Sequence, residues 1–412
     1  MKRRILMCLL TLTVCVGISS CGSEKQYEMT ENVAESGAWE ATETVVVNSG
    51  EQESGPVGEN LREQEAESEV ADSAEEAESE SADESADTVQ EFDITLCFAG
   101  DINLDENWGT TQFMDAQENG IYDCISEKLI RRMKEADIMC LNNEFTYSDG
   151  GSPLDGKTYT FRARPERVKV LQELGVDAVT LANNHVYDYG PEALLDTLSV
   201  LEEAEIPYFG AGRSLEEAMA PLYLEADGKI IALVGASRAE KNKMTPQATE
   251  SAPGILRCYD TTLYREAIAE AKENADFCIA FVHWGTEYSF ELEQVQKDTA
   301  REYLDAGADV IIGAHSHCLQ GIEYYEGKPV FYSLGNYWFN GKTLDTMLVQ
   351  LHITGNDESN EIEAQIIPAV QSGYKTVYAE EEEEQKRIFD FLEGISVNVE
   401  ITDEGIVKEI SE

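Results

Sequence analysis

Histidine and positive charge are scarce in this chain. Five histidines and 30 lysines and arginines stand against 81 aspartates and glutamates in 412 residues, a formal net charge of −51. That balance excludes nucleic acid and a bare anionic surface as electrostatic partners, and any anionic substrate must meet a cation locally. A membrane-spanning run is also missing, since the apolar stretch Ile5 to Val16 is too short to cross a bilayer. Beyond Cys21 the cysteines are Cys97, Cys124, Cys140, Cys258, Cys278 and Cys318, and no two of them stand in C-x-x-C spacing. Export would permit disulfides, but this pattern demands none. Cys97, Cys140 and Cys278 lie in apolar runs and read as small buried hydrophobes. No internal repeat is visible.

The amino terminus reads as a targeting segment. Lys2, Arg3 and Arg4 precede the short apolar run, which ends at Ile18-Ser19-Ser20-Cys21-Gly22. This end resembles the bacterial lipoprotein box, which implies cleavage after residue 20 and acylation of Cys21. Two or more acyl chains give stable anchoring, so the expected location is the extracellular face of the cell membrane, with the lipid bilayer as a partner. Residues 21–92 are rich in Glu, Ser and Ala, with 22 acidic and two basic residues. Such a segment cannot bury enough apolar surface to offset its ordering entropy, and its like charges extend it. It reads as a disordered stalk holding a folded domain, residues 93–412, off an anionic surface. Of the −51, about −34 falls on that domain.

From Ile94 onward, short apolar runs alternate with helical periodicity. Strands are expected at 94–99, 137–141, 176–181, 230–235, 277–282 and 309–312, and helices at 124–136, 167–174, 191–204, 262–273 and 294–306. After His317 the pattern turns to β, at 322–325, 329–333, 346–353 and 361–368, with a late helix at 380–392. This is a layered α/β fold with its strands between helices.

Polar residues collect at the carboxyl ends of these strands, the edge where open α/β sheets bind ligands. They are Asp101 and Asn103; Asn142, Asn143 and Glu144; Asn183, Asn184 and His185 with Asp188 beyond; His283; and His315 with His317. Three of the five histidines end strand-like runs. The His315–His317 pair can serve one ion or one each of two. Carboxylate, amide oxygen and imidazole together suit a borderline divalent cation such as Mn²⁺, Zn²⁺ or Fe²⁺. Asp101, Asn103, Glu144, Asn184, His283, His315 and His317 on one edge suggest two ions, which can clamp both oxygens of a phosphoryl displacement. His352, inside Leu351-His352-Ile353, reads as a strand residue without a role.

The order Phe98-Ala99-Gly100-Asp101, Asn142-Asn143-Glu144, Leu181-Ala182-Asn183-Asn184-His185 with Asp188-Tyr189-Gly190, His283-Trp284-Gly285 and Gly313-Ala314-His315-Ser316-His317 closely resembles the CapA family of poly-γ-glutamate capsule biosynthesis proteins. Phe161-Arg162-Ala163 and the run from Pro329 to Asn336 fit the same family, and the resemblance covers about Asp93 to Val370. The family is similar to calcineurin-like metallophosphoesterases. That implies a four-layer α/β/β/α sandwich of metallophosphoesterase type, with a di-metal site between the sheets. Carried over, Asp101 matches the aspartate of the D-x-H motif, and Asn103 falls where its histidine would be. Glu144 matches the bridging aspartate. Asn184, His283 and His315 complete one metal site with Glu144, and His317 joins Asp101 and Glu144 at the other. Asn103 and Glu144 depart from the phosphoesterase pattern, and an amide oxygen is a weaker ligand than imidazole, so one tight and one weak site are expected.

Two functions follow as expectations. One is a surface-anchored metal-dependent hydrolase acting on a phosphoester or a γ-glutamyl amide. In it His185 protonates the leaving group, Asp188 orients His185, and Arg162 or Arg164 holds an anionic substrate. The other is a non-catalytic accessory that holds or guides capsule polymer, alongside other capsule synthesis proteins.

Overall fold

The computed structural model of the chain describes residues 91–356 and 358–410. The leader, Cys21 and nearly all of the acidic stalk lie outside the described residues. Among the described residues, no helix is long and apolar enough to cross a membrane.

Two sets of parallel strands carry the fold. The first comprises β1 (Phe92–Ile102), β2 (Ile138–Asn143) and β3 (Ala178–Thr180). The second comprises β4 (Lys229–Ser237), β5 (Phe277–His283) and β6 (Val310–Ala314). Each set is the centre of a separate sheet. On the first sheet, β7 (Asn336–Trp338) runs parallel to the end of β1, and the antiparallel pair β8 (Leu344–Gly355) and β9 (Asn360–Ser372) extends it. The second sheet ends in Leu222–Ala226 on one side and the hairpin Ile322–Tyr325 with Lys328–Phe331 on the other.

Alternation along each strand sorts side chains into three cores. Leu96 and Phe98 of β1 meet Ile279 and Phe281 of β5 and Val310 and Ile312 of β6, so the two sheets pack face to face. Cys97 and Ala99 point the other way, onto Leu129, Met133, Leu171, Leu194 and Leu198 from helices Glu127–Glu135, Lys169–Leu174 and Gly190–Glu203. Cys278, Ala280 and Ile311 point away from the first sheet, onto Ile268 and Ala271 of helix Thr262–Asn274 and Tyr303 and Leu304 of helix Gln294–Asp305. The expected four layers, helix, sheet, sheet and helix, are present. The late helix, Glu382–Ile395, instead buries Ile388, Phe389 and Leu392 in the core between the sheets.

The strand ends converge because β1 to β3 share one direction, as do β4 to β6. Two glycines permit the close approaches this needs. A Cβ on Gly100 would lie 1.9 Å from the Gly335 carbonyl oxygen, and one on Gly313 would lie 2.0 Å from that of Tyr332. The β1 register slips at Gly100, between Ala99 and Asp101, and this aligns Asp101 with Asn142 and with Asn336. All six cysteines of the domain are free and buried, as their apolar surroundings imply. His352 sits in β8 beside the Thr95 hydroxyl, away from the other four histidines.

Beyond β1, Glu106 takes a two-bond fork from Arg167 at 2.9 and 3.0 Å and a third contact from Arg164 at 3.1 Å. Burial alone would raise its pKa, but the Arg167 fork and the Arg164 N–H and guanidinium override this and bring it down to about 2. A depressed carboxylate stabilises the fold above its unfolded-state value, near 4.5, and loses that contribution as pH falls toward 2. Glu106→Gln is therefore expected to lower the melting temperature at neutral pH, with the difference from the natural chain shrinking below pH 4.5 and vanishing near 2. Melting curves across that range check it, and a difference that does not vary with pH would contradict it.

Candidate metal centre

The inter-sheet face of each parallel strand is apolar for most of its length and turns polar at the carboxyl end. On β2, Cys140 faces the inter-sheet core, and two-residue alternation places Asn142 and then Glu144 on the same face. On β5, Ile279 and Phe281 precede His283, whereas Trp284 packs the opposite way against Tyr303 and Tyr332. His283 is thus not a packing histidine held by its tryptophan neighbour.

Two groups of ligand-type side chains result, Glu144 with His283 and His315, and Asp101 with Glu144 and His317. Within each group the ligand atoms lie within 4.8 Å of one another, and Glu144 belongs to both. His283 Nε2 is 3.4 Å from Glu144 Oε1 and 2.7 Å from the Asn184 side-chain oxygen. His317 Nδ1 is 3.2 Å from Asp101 Oδ2, and its Nε2 is 3.9 Å from Glu144 Oε1. All these residues are buried.

The donor set fits a cation. Asp101 Oδ2, Glu144 Oε1 and His315 Nδ1 are buried acceptor-type atoms without a hydrogen-bond partner, and each belongs to one of the two groups. Buried polar atoms are normally satisfied, so three orphans facing one space call for a positive charge there. Burial, and next the neighbouring Asp101, push Glu144 well above the usual carboxylate range. Two buried carboxylates this close cannot both ionise cheaply without a counter-cation. Burial, and next their imidazole neighbours, press His283 and His315 well below the usual range, so both present the neutral nitrogens that ligation needs. His315 and His317 also hold backbone φ of 95° and 55°, a region that non-glycine residues adopt mainly where the surroundings enforce it.

Four further residues organise the centre without having been singled out as ligands from the sequence. Asn142 points its amide nitrogen at Asp101 Oδ1 (2.7 Å), Glu144 Oε2 (3.3 Å) and His283 Nδ1 (3.3 Å). Asn183 fixes that orientation by donating to the Asn142 oxygen at 3.0 Å, while its own oxygen accepts the His185 and Val186 N–H groups. Asn183 is accordingly a structural turn residue, and Asn184 is the amide that reaches His283. Asn336 Oδ1 lies 2.8 Å from His317 Nδ1, a contact that leaves His317 Nε2 for Glu144 and the ion space. Lys157, nearly buried, pairs with Asp188 and also donates to the Asn184 carbonyl. Alternation from Glu144 could have found Asn142. Nothing near Lys157 in sequence marks it.

Asn103 is placed differently from the other candidates. It is buried, but its side-chain oxygen accepts the Asp105 N–H at 2.8 Å while its amide nitrogen has no partner. His185 Nδ1 lies 2.7 Å from Asp188 Oδ2, and Asp188 also accepts the Phe161 N–H at 2.7 Å. The Phe161 ring packs on His185 with centroids 4.4 Å apart. Burial lowers His185 while Asp188 opposes the change, and the net direction is downward. Arg162 donates to the Gly150 carbonyl at 2.8 Å and lies 4.2 Å over the Tyr189 ring, and Arg164 sits on Glu106. Both guanidinium groups are therefore engaged by the protein itself.

Residues 95–341 match the family model described as bacterial capsule synthesis protein PGA_cap. The chain belongs to this family. Among curated relatives, the PGA biosynthesis protein CapA of Bacillus subtilis is 36% identical over 52% of this chain and 56% of its own length. The capsule biosynthesis protein CapA of Bacillus anthracis is 35% identical over 48% of this chain and 50% of its own. The chain thus spans about half the length of the curated relatives it matches. Among solved structures, the 5′-nucleotidase of Candida albicans aligns with 66% of this chain and 52% of its own at 12% identity and a TM-score of 0.37.

The asymmetry of the two groups gives a testable consequence. The Glu144–His283–His315 group has two imidazoles with Asn184 at hand, whereas the Asp101–Glu144–His317 group has one. His283→Ala is expected to lose the firmly held ion, and Asn103→His to raise affinity at the weaker group. Calorimetric Zn²⁺ titration of both variants checks this, and equal losses at both groups in His283→Ala would contradict it.

Proposed function

We propose that this capsule synthesis protein is a metal-dependent hydrolase, tethered by acylated Cys21 at the outer face of the cell membrane. Its substrate is an anionic one, either a γ-glutamyl amide of poly-γ-glutamate or a phosphoester. The observation that carries the reading is the pair of buried ligand groups sharing Glu144, with His185 and Asp188 beside them. Mn²⁺, Zn²⁺ or Fe²⁺ suits these donors, and when bound such ions lower the pKa of a coordinated water and polarise the scissile group. Asp101, Glu144, Asn184, His283, His315 and His317 would hold them.

The rest of the work falls to this chain's own side chains. Asp188 is fixed by donors from Lys157 and Phe161, so it holds His185 through Nδ1 and leaves Nε2 toward the substrate. Once protonated at Nε2, with Asp188 balancing the imidazolium through Nδ1, His185 passes that proton to the leaving oxygen or nitrogen and returns to the neutral ring. Phe161 covers one face of that imidazole and keeps bulk water from it. Asn142 restrains both carboxylates and the His283 ring, which preorganises the ligands.

The test is turnover by purified protein supplied with Mn²⁺ or Zn²⁺, scored as phosphate release from a phosphoester and as oligomer release from poly-γ-glutamate. Metal-stimulated release of either supports the reading and names the bond. Metal and polymer both bound without turnover would replace it with the accessory role.

A further inference from the structure

Several cations near the centre are already matched by groups of the protein. Lys157 is paired with Asp188, Arg164 and Arg167 share Glu106, and Arg162 is held by Gly150 and Tyr189. Exposed Glu287, four residues beyond His283, adds a further negative charge that acts on Glu144. An anionic substrate approaching such a surface is repelled unless a free cation meets it.

Lys342 is that cation. It is exposed, and among the described residues no carboxylate pairs with it. Its ammonium lies 3.5 Å from the centroid of the Tyr288 ring, and that ring in turn lies 5.8 Å from the ring of His317. Neither partner is placed by chance. Tyr288 is held at φ 57°, with its N–H on the Ser316 carbonyl at 2.6 Å, inside the turn that carries His315 and His317. The next residue, Ser289, gives its carbonyl to Gln320 at 3.0 Å. On the other side, buried Gln371 accepts the N–H groups of Phe339 and Asn340 at 2.7 and 3.1 Å and donates to the Lys342 carbonyl at 3.3 Å. The Asn340 side chain accepts the Lys342 N–H at 3.0 Å. Phe339 packs on His317, with centroids 4.5 Å apart, so the segment bearing Lys342 and the loop bearing Tyr288 both rest on a metal-group histidine. A backbone held in a sparsely populated region beside such a residue points to a positioned side chain.

We propose that Lys342, seated on the Tyr288 ring, binds an anionic oxygen of the substrate beside the metal centre and selects for charged over neutral substrates. This deepens the hydrolase reading by naming a recognition residue. The group recognised is a carboxylate or phosphoryl oxygen, since an ammonium reads either as a point charge. The ring holds the ammonium by a cation–π contact and limits its rotamers, so less freedom is lost when the anion binds.

The experiment is binding by the metal-loaded full chain, measured by calorimetry. The probes are a γ-linked glutamate pentamer, the same pentamer with its α-carboxyls amidated, and inorganic phosphate. Lys342→Gln is expected to weaken the pentamer about tenfold, the loss of one charge-assisted contact. The amidated pentamer should be unaffected and metal content unchanged. Lys342→Arg should keep most of the affinity, and Tyr288→Phe should keep it where Tyr288→Leu does not. A loss confined to phosphate would assign the contact to a phosphoryl group and support the same role. Unchanged affinity for both pentamer and phosphate in Lys342→Gln would overturn the proposal, as would absence of binding to either by the metal-loaded natural chain. Lack of turnover in that chain would sink the hydrolase reading alone, because this measurement needs no turnover.

Discussion

Glu144→Gln is expected to remove firm binding at both metal groups at once and to cut turnover by about three orders of magnitude, at roughly tenfold per 1.4 kcal/mol of lost transition-state stabilisation. Glu144 is the one residue common to the two groups. An amide in its place supplies a neutral oxygen where a charged ligand stood, and borderline cations hold it less well. The variant also separates loss of metal from loss of fold. Glu144 is fully buried beside Asp101, and a single Asn142 amide nitrogen serves both carboxylates. Without a cation those carboxylates repel, so metal-stripped Glu144→Gln should unfold at a higher temperature than the stripped natural chain. Added Zn²⁺ or Mn²⁺ should then raise the melting temperature of the natural chain and leave that of the variant nearly unmoved, because only a bound ligand shifts the folding equilibrium. A variant that still binds two equivalents, or that is destabilised when stripped, would contradict this account of Glu144.

His185→Ala is expected to lower turnover by about 10²–10⁴-fold, the usual contribution of a positioned acid, with metal content unchanged. The ring touches Asp188 and Phe161 and belongs to neither metal group. A substrate whose leaving group needs no proton should lose much less. Comparing a nitrophenyl ester with an alkyl ester of the same acid reads this directly. Equal losses on both would point to a structural role for His185. Asp188→Asn should behave as a milder form of the same variant, since its amide can still accept from Phe161 but no longer offers a full charge to Lys157.

Much of this was legible in the sequence because parallel strands write themselves as short apolar runs. Ile138 to Leu141, Phe277 to Val282 and Val310 to Ile312 could be read as buried strands, and the polar residue after each could be assigned to a common edge. The metal groups follow from that edge, and Asp101, Glu144, His283, His315 and His317 do gather there. Residues whose role depends on a partner distant in sequence were not legible. Asn142 acts on Asp101 and His283, and Lys157 reaches Asp188 across a loop with no periodicity. Arg162 and Arg164 carried the right charge for an anionic substrate, but their partners Gly150 and Glu106 are visible only in three dimensions. Short strands such as Lys375–Tyr378, Val399–Ile401 and Ile406–Glu409 carry too few residues for a period to show. Helix Gly109–Asp115 is likewise only two turns long.

The central claim, that this centre holds two unequal divalent ions, is tested most directly by counting them. Protein saturated with Mn²⁺ or Zn²⁺ should carry two equivalents per chain by elemental analysis, and dialysis against a mild chelator should leave one. Turnover should fall with the departing ion and return when it is restored. No bound metal at saturation would remove the basis of the catalytic reading.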